Sequence, residues 1–286
     1  MTTYTEQECK EIETWFNKTL EEVSIENNPA KHREHLGASL IGDDCSRKLW
    51  YGFRWVKLTQ FPGRMRRLFQ RGHKEEPNII ELLHWLGFFT REIDPITDKQ
   101  YKFSAVNGHF GGSCDGVLLL PWDRKNDGER ILGEFKTHND KLFKELKDKG
   151  LKLAHPKHYA QMCTYGKAFK IRHGLYVAVN KNDDDIWPHF YELDWNYAEQ
   201  LEKKAADIIH AEFPPNRISD SISYYKCKFC DFQGICHKGE AVEKNCRSCK
   251  NAVPVENGKW YCKKFGNEIP NDFIIEGCNE YVSINV

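Results

Sequence analysis

The sequence predicts a mixed α/β fold: a mixed central sheet flanked by helices, with a small cysteine-rich metal module behind it. Three observations lead to that expectation. The apolar period switches along the chain, in the order helices, a meander of three strands, helices, strands and a last helix. Turn-forming residues mark the switches, at Asn107-Gly108, at 123–128 and at Pro214-Pro215. Beyond Cys236 the segments become short and loop-rich, and residues 241–286 hold four cysteines.

Residues 5–23 carry a helical pattern with Trp15, Phe16 and Leu20 along one side. Residues 45–56 mix basic and aromatic side chains around Cys45. A long helical stretch covers 64–86, where Pro77 predicts a kink or the start of a second helix. Residues 99–106 and 110–120 alternate like strands, and Asn107-Gly108 between them is a hairpin turn. A third strand is expected over 130–137, then helices over 140–150 and 156–169. Strands over 175–180 and 186–193 are joined by the acidic loop 182–185. The final helix covers 196–211 and stops before Pro214-Pro215. A boundary near Gly239 divides a main domain, 1–239, from a module at 240–286.

With 40 % hydrophobic and 13 % aromatic residues, the 286-residue chain can bury a sizeable core and is too apolar for a disordered protein. Its 42 basic residues balance 42 acidic ones, so contact with nucleic acid needs a local patch rather than a global field. The polar start has no signal-peptide pattern and no stretch approaches a membrane span, which leads us to expect an intracellular, cytoplasmic protein. In that setting eleven cysteines point to metal ligands before disulfides.

Glu134 and Lys136 are two apart on an expected strand and share a face, while Phe135 points to the core. Asp115 follows a Gly-Gly-Ser-Cys run on the preceding strand. If the strands pair, Asp115 and Glu134 converge on one hard cation, Mg²⁺ or Mn²⁺. Lys136 then orients a water or stabilises charge developing at phosphorus. Gln161 and Tyr165, four apart on a helix, point to one side and can hold a phosphate backbone. His73 and Glu76 lie three apart upstream, and a neutral imidazole can complete a carboxylate shell. Arg64, Arg66, Arg67, Arg71 and Lys74, with Phe69 among them, form the best basic patch for a nucleic-acid strand.

Cys45 with Cys227, Cys230 and Cys236 is a four-thiolate set whose spacing fits zinc or an iron–sulfur cluster equally. Cys246, Cys249, Cys262 and Cys278 fit a Cys₄ zinc site, with His237 as a less favoured substitute for Cys278. Cys9, Cys114 and Cys163 remain as free thiols.

The order His73, Asp115, Glu134-x-Lys136, Gln161-x-x-x-Tyr165 resembles the PD-(D/E)XK nuclease superfamily. More narrowly it resembles the RecB-like exonucleases, which include CRISPR-associated and phage-encoded members. The resemblance covers about residues 35–237, and Cys114 stands where the family name has proline. It implies a restriction-endonuclease-like core. It also implies metal binding by His73, Asp115, Glu134 and the Phe135 carbonyl, with Lys136 catalytic beside Asp115 and Glu134. Gln161 and Tyr165 take the family's Gln–Tyr motif, and Arg66, Arg67 and Arg71 would track the DNA. It favours a [4Fe–4S] cluster, with zinc as the other occupant, on Cys45, Cys227, Cys230 and Cys236.

The resulting expectation is an Mg²⁺- or Mn²⁺-dependent exonuclease acting on DNA with a free or single-stranded end. The resemblance places it in phage or prokaryotic recombination, repair or DNA processing. Three other readings fit the same residues: an endonuclease on the same fold, a non-catalytic iron–sulfur DNA-binding subunit, and a zinc-scaffolded adaptor.

Overall fold

A computed structural model describes residues 4–91, 93–94, 99–122 and 129–284. The turn expected at 123–128 lies outside them. Helix α1 (Glu6–Glu26) opens with a capping box in which Thr5 and Glu8 satisfy each other's backbone N–H groups. Trp15 and Phe16 project into solvent, and Ser24 is the buried residue of this helix. After β1 (Leu36–Gly37) and the short α2 (Ala38–Ile41), α3 (Ser46–Phe53) starts at Cys45, whose sulfur accepts the Lys48 N–H. Helix α4 (Gly63–Trp85) continues through Pro77 as one element, so Pro77 does not open the second helix that was one of the two expectations. The lost N–H bond is offset by packing: Ile79, Ile80 and Leu83 bury against Phe135, Val177 and Val179.

Strands β2 (Phe89–Arg91), β3 (Ile93–Asp94), β4 (Lys99–Gln100), β5 (Lys102–Ala105), β6 (Phe110–Ser113), β7 (Gly116–Leu119) and β8 (Ile131–His138) follow. The hairpin between β5 and β6 turns on Val106, Asn107 and Gly108, all at positive φ. The sequence predicts one strand over 110–120, but the chain breaks at Cys114 and Asp115. β6 joins a three-stranded sheet of order β1-β6-β5, and β7 crosses into another sheet. Gly112 allows this course, because a Cβ there would sit 2.6 Å from the Tyr165 hydroxyl.

Helices α5 (Asp140–Lys149), α6 (Leu151–Ala154) and α7 (Pro156–Phe169) connect β8 to its parallel neighbour β9 (His173–Asn180). Asn139 caps α5 and Pro156 opens α7. After β10 (Ile186–Glu192), Asp194 caps α8 (Trp195–His210). The main sheet has the order β10-β9-β8-β7-β2, parallel between β8 and β9 and antiparallel elsewhere. The expected mixed α/β architecture is present. β8 is the middle strand, with Ile131 to Phe135 all buried.

Two short helices follow, α9 (Tyr225–Lys228) with Cys227 and α10 (Gln233–Lys238) with Cys236; Cys230 lies between them, and α10 ends at Gly239. The C-terminal segment forms a small meander, β11 (Ala252–Pro254), β12 (Trp260–Cys262) and β13 (Asn267–Ile269), before α11 (Asn271–Ile274). Its apolar residues Trp260, Ile269, Ile274 and Ile284 belong to the same buried cluster as Trp50, Phe53 and Trp55. The two hairpins interlock: Gly258 N–H donates to the Asn107 carbonyl, and a Cβ on Gly108 would stand 2.5 Å from Gly258 N. No helix among the described residues is long and apolar enough to cross a membrane.

Candidate active site

Strand pairing builds the centre of the site. Gly116 pairs with Gly133 across β7 and β8, so Asp115, one residue before β7, lies beside Glu134. The Asp115 carboxylate accepts the Phe135 N–H at 2.9 Å and the Lys136 ammonium at 3.2 Å. Lys136 also reaches Glu134 Oε1 at 2.5 Å and donates to the Phe135 carbonyl at 2.9 Å. One ammonium thus gathers two carboxylates and a main-chain oxygen. Glu134 is fully buried, and the Gln161 amide donates to its Oε1 at 2.8 Å. Its Oε2 is buried with no hydrogen-bond partner among the described residues.

The electrostatics follow from that burial. Burial, then the Asp115 charge, pushes the Glu134 carboxyl up to about 8 despite Lys136. For Lys136, burial works against the ammonium, but Glu134 and Asp115 outweigh it and hold its pKa above the usual lysine value. Glu76 on α4 is raised too, by burial first and by Asp115 second, which places it in the same electrostatic neighbourhood. In the sequence the available signal for Glu76 is its position one turn beyond His73.

The other expected residues fall in different places. His73 is largely exposed, and its Nδ1 lies 3.3 Å from Glu76 Oε1. Tyr165 is buried, with Phe103 edge-on against its ring at 5.7 Å. Gln161 and Tyr165 line a cavity of about 660 Å³ together with Arg33, His35, Lys102 and Gly112. The expected arginine track does not form as a unit. Arg66 is buried and donates to the Phe61 carbonyl at 2.8 Å, so its guanidinium serves the α4 start and not a bound strand. Arg67 donates to Ser24 Oγ at 2.7 Å and is tied to α1. Arg71 is exposed and donates to the Lys181 carbonyl.

The two thiol groups each converge. Cys45, Cys227, Cys230 and Cys236 line one cavity of about 300 Å³, walled by Tyr51 and Phe232. His237 lines that cavity and not the other, which removes it as a substitute for Cys278. Cys246, Cys249, Cys262 and Cys278 line a second cavity of about 20 Å³. Burial, then Cys278, Cys249 and Cys262, pushes the Cys246 thiol up to about 11. All eight cysteines are free, and among the described residues no three His, Cys, Asp or Glu side chains are drawn into a ready metal cage. Cys9 is exposed, whereas Cys114 and Cys163 are buried.

Beside the second cavity lie two buried cations. Arg54 donates to the carbonyls of Cys249 and Ala252 at 2.8 and 3.1 Å. Arg247 packs over the rings of Phe53, Trp55 and Trp260 and donates to the Glu34 carbonyl at 2.8 Å. Neither has an ion-pair carboxylate among the described residues.

No family model and no curated protein sequence matches the chain. Among solved structures it is similar to an alkaline exonuclease, LHK-Exo, from Laribacter hongkongensis. That match has 17 % identity and a TM-score of 0.45, over 62 % of this chain and 87 % of the other. The same exonuclease in complex with dAMP matches at 17 % identity and a TM-score of 0.45, over 61 % and 86 %. A structure described as SSO0001 matches at 19 % identity and a TM-score of 0.43, over 77 % of this chain and 96 % of that one.

Proposed function

We propose that the protein is a metal-dependent deoxyribonuclease that hydrolyses phosphodiester bonds of DNA from an end. The observation that carries this reading is the sharing of one cation by Asp115 and Glu134, at 3.2 and 2.5 Å from the Lys136 ammonium. Two carboxylates that meet one ammonium can also meet one divalent ion. The unpaired, buried Oε2 of Glu134 favours such a ligand. The donor set is Asp115, Glu134 and the Phe135 carbonyl. It is all oxygen and suits Mg²⁺ or Mn²⁺. An ion held there would polarise a phosphoryl oxygen and acidify a water.

The chain's own residues supply the rest. Lys136 sets a positive charge where charge develops at phosphorus. Gln161 orients the Glu134 carboxylate, so the Gln–Tyr motif acts through the ligand and the Gly112 turn before it acts on DNA. Glu76 adds a third carboxylate to the neighbourhood, and His73 holds Glu76. Arg64, Arg71 and Lys74 are the exposed members of the expected basic patch and are available to a phosphate.

The thiol cavities support two further assignments. Cys45, Cys227, Cys230 and Cys236 line one cavity of about 300 Å³, where four thiolates would hold a [4Fe–4S] cluster or a zinc ion. About 20 Å³ among Cys246, Cys249, Cys262 and Cys278 suits one zinc ion. Both would act as staples.

The test is cleavage of linear and closed circular DNA with Mn²⁺, with Mg²⁺ and with chelator. Linear DNA should be degraded, and the circle and the chelated sample should survive. Lys136→Ala should lower the rate about 100-fold or more while DNA binding holds. Normal cleavage by that variant sinks the assignment. The pH dependence has a definite sign. Burial and the Asp115 charge push Glu134 up to about 8, so an ion bound there would displace a proton. Mn²⁺ affinity, read by calorimetry, should rise about tenfold per pH unit up to that value and level off above it.

A further inference from the structure

The turn at 106–108, between β5 and β6, and the turn at 256–258 face each other backbone to backbone. Gly258 N–H donates to the Asn107 carbonyl at 2.8 Å. A Cβ on Gly108 would stand 2.8 Å from the Asn257 carbonyl carbon, and one on Gly258 would stand 3.2 Å from the Gly108 oxygen. Both glycines hold positive φ, +87° and +72°. Beside them the buried His109 ring donates from Nε2 to the Val255 carbonyl at 2.8 Å, and Trp260 and Phe53 meet that ring edge-on. Val106 sits at φ 48°, a left-handed conformation that a β-branched residue keeps only where its surroundings impose it.

The braced turn is one end of a short lever. β6 runs from Phe110 to Ser113, and Asp115 follows His109 by six positions. β6 is the middle strand of the small sheet, between β1 of two residues and β5 of four. So small a sheet gives its central strand little support of its own. Toward α7 the hairpin is packed: the Gly112 backbone passes under the Tyr165 hydroxyl, and Phe103 meets the Tyr165 ring. Gln161, one turn earlier on α7, donates to Glu134. The turn end of the hairpin is held by the C-terminal segment. A push at 106–108 meets main chain on both sides, with no flexible side chain to absorb it. It therefore passes along β6 to the break at 114–115, where Asp115 crosses to Glu134.

We propose that the turn at 256–258 is a positioning element for the proposed metal centre. By bracing 106–108 it fixes β6, and with it the place of the Asp115 carboxylate beside Glu134 and Lys136. The proposal rests on the nuclease reading and adds to it a part for the C-terminal segment, which lies far from Asp115 in the chain. The cysteine-bearing module serves the site through the shape of one turn.

The test uses the full chain with Mn²⁺ alone as probe. Affinity is read by calorimetry, and amide hydrogen exchange is read in residues 103–113. Gly108→Ala should weaken Mn²⁺ about tenfold or more, and Gly258→Ala should weaken it less, in the order of the contacts each Cβ makes. Both should quicken exchange in 103–113. Their cleavage of linear DNA should fall at limiting Mn²⁺. Saturating Mn²⁺ should restore kcat to within about threefold of wild type, because Asp115 is displaced and not lost. Gly266→Ala is the control. It puts a side chain at φ +65° in the same module, where its Cβ meets the Tyr261 hydroxyl at 3.7 Å, and it should bind Mn²⁺ as wild type does. Where Gly108→Ala does not fold, Gly258→Ala decides. Brace variants that bind Mn²⁺ as wild type does overturn the proposal. So does a Gly266→Ala variant that weakens Mn²⁺ as much as they do. Wild type that binds Mn²⁺, with both brace variants weakened, yet cuts no DNA supports the brace and sinks the nuclease reading. Wild type that binds no Mn²⁺ overturns both.

Discussion

The two thiol cavities have nearly the same sequence signature and very different interiors. Each combines a Cys-x-x-Cys pair, 227 with 230 and 246 with 249, with two further cysteines. The first encloses about 300 Å³ and the second about 20 Å³. The first draws Cys45 from the N-terminal side of the sheet to α9 and α10, so it ties together regions far apart in the chain. The second is local and rests on two buried guanidiniums. Ligand spacing therefore marks which cysteines share a cavity, and the fold sets how much space surrounds them.

The largest expected effect is at the long-range cavity. If a cluster occupies it as proposed, Cys45→Ala should abolish bound iron and its visible absorbance and leave little soluble protein, because the link closing the long loop is gone. A variant that keeps its iron and folds normally breaks the contrast between the two cavities. Next is Cys262→Ala, which should cut zinc from one equivalent to none and leave iron untouched. Hydrogen exchange should speed up in residues 246–284 and stay unchanged across β8 and β9.

Arg54→Met sharpens the comparison by its sign. A tetrathiolate zinc site carries net negative charge, and Arg54 beside Cys249 compensates it. Loss of the guanidinium should then lower zinc affinity by about 10- to 100-fold. If the four sulfurs stay as neutral thiols, Arg54 is a buried charge without a counter-ion, and the same variant should be more stable than wild type. The smallest effect is a control: Trp15→Ser, on the exposed face of α1, should change stability by less than about 0.5 kcal/mol and leave both metals in place.

Much of the architecture could be read before folding was considered. The segments at 130–137 and 175–180 mark strands as short apolar runs, because central strands are buried on both faces, whereas 186–193 alternates in burial along the sheet edge. The Asn107-Gly108 hairpin was legible because its residues tolerate positive φ. Pro77 was misleading, since local propensity there is overruled by burial of Ile79, Ile80 and Leu83. Arg66 was misleading for a related reason: a charged side chain within a basic run is not therefore exposed, and this one is held by the Phe61 carbonyl. The place of Glu76 and the contact between the turns at 106–108 and 256–258 were not legible, because each gains meaning from neighbours distant in the chain.

The order of chemical groups along the chain was enough to place Glu134 and Lys136 on one face, since side chains two apart on a strand must share it. It was enough, too, to mark eight cysteines as two sets. Folding supplied the rest: the break at Cys114 and Asp115 that swings an acid across to Glu134, the unpaired oxygen left there, the unequal spaces within the sulfur groups, and the backbone contact between the turns at 106–108 and 256–258. These depend on distances between segments remote in sequence, which packing sets and local residue preference does not encode.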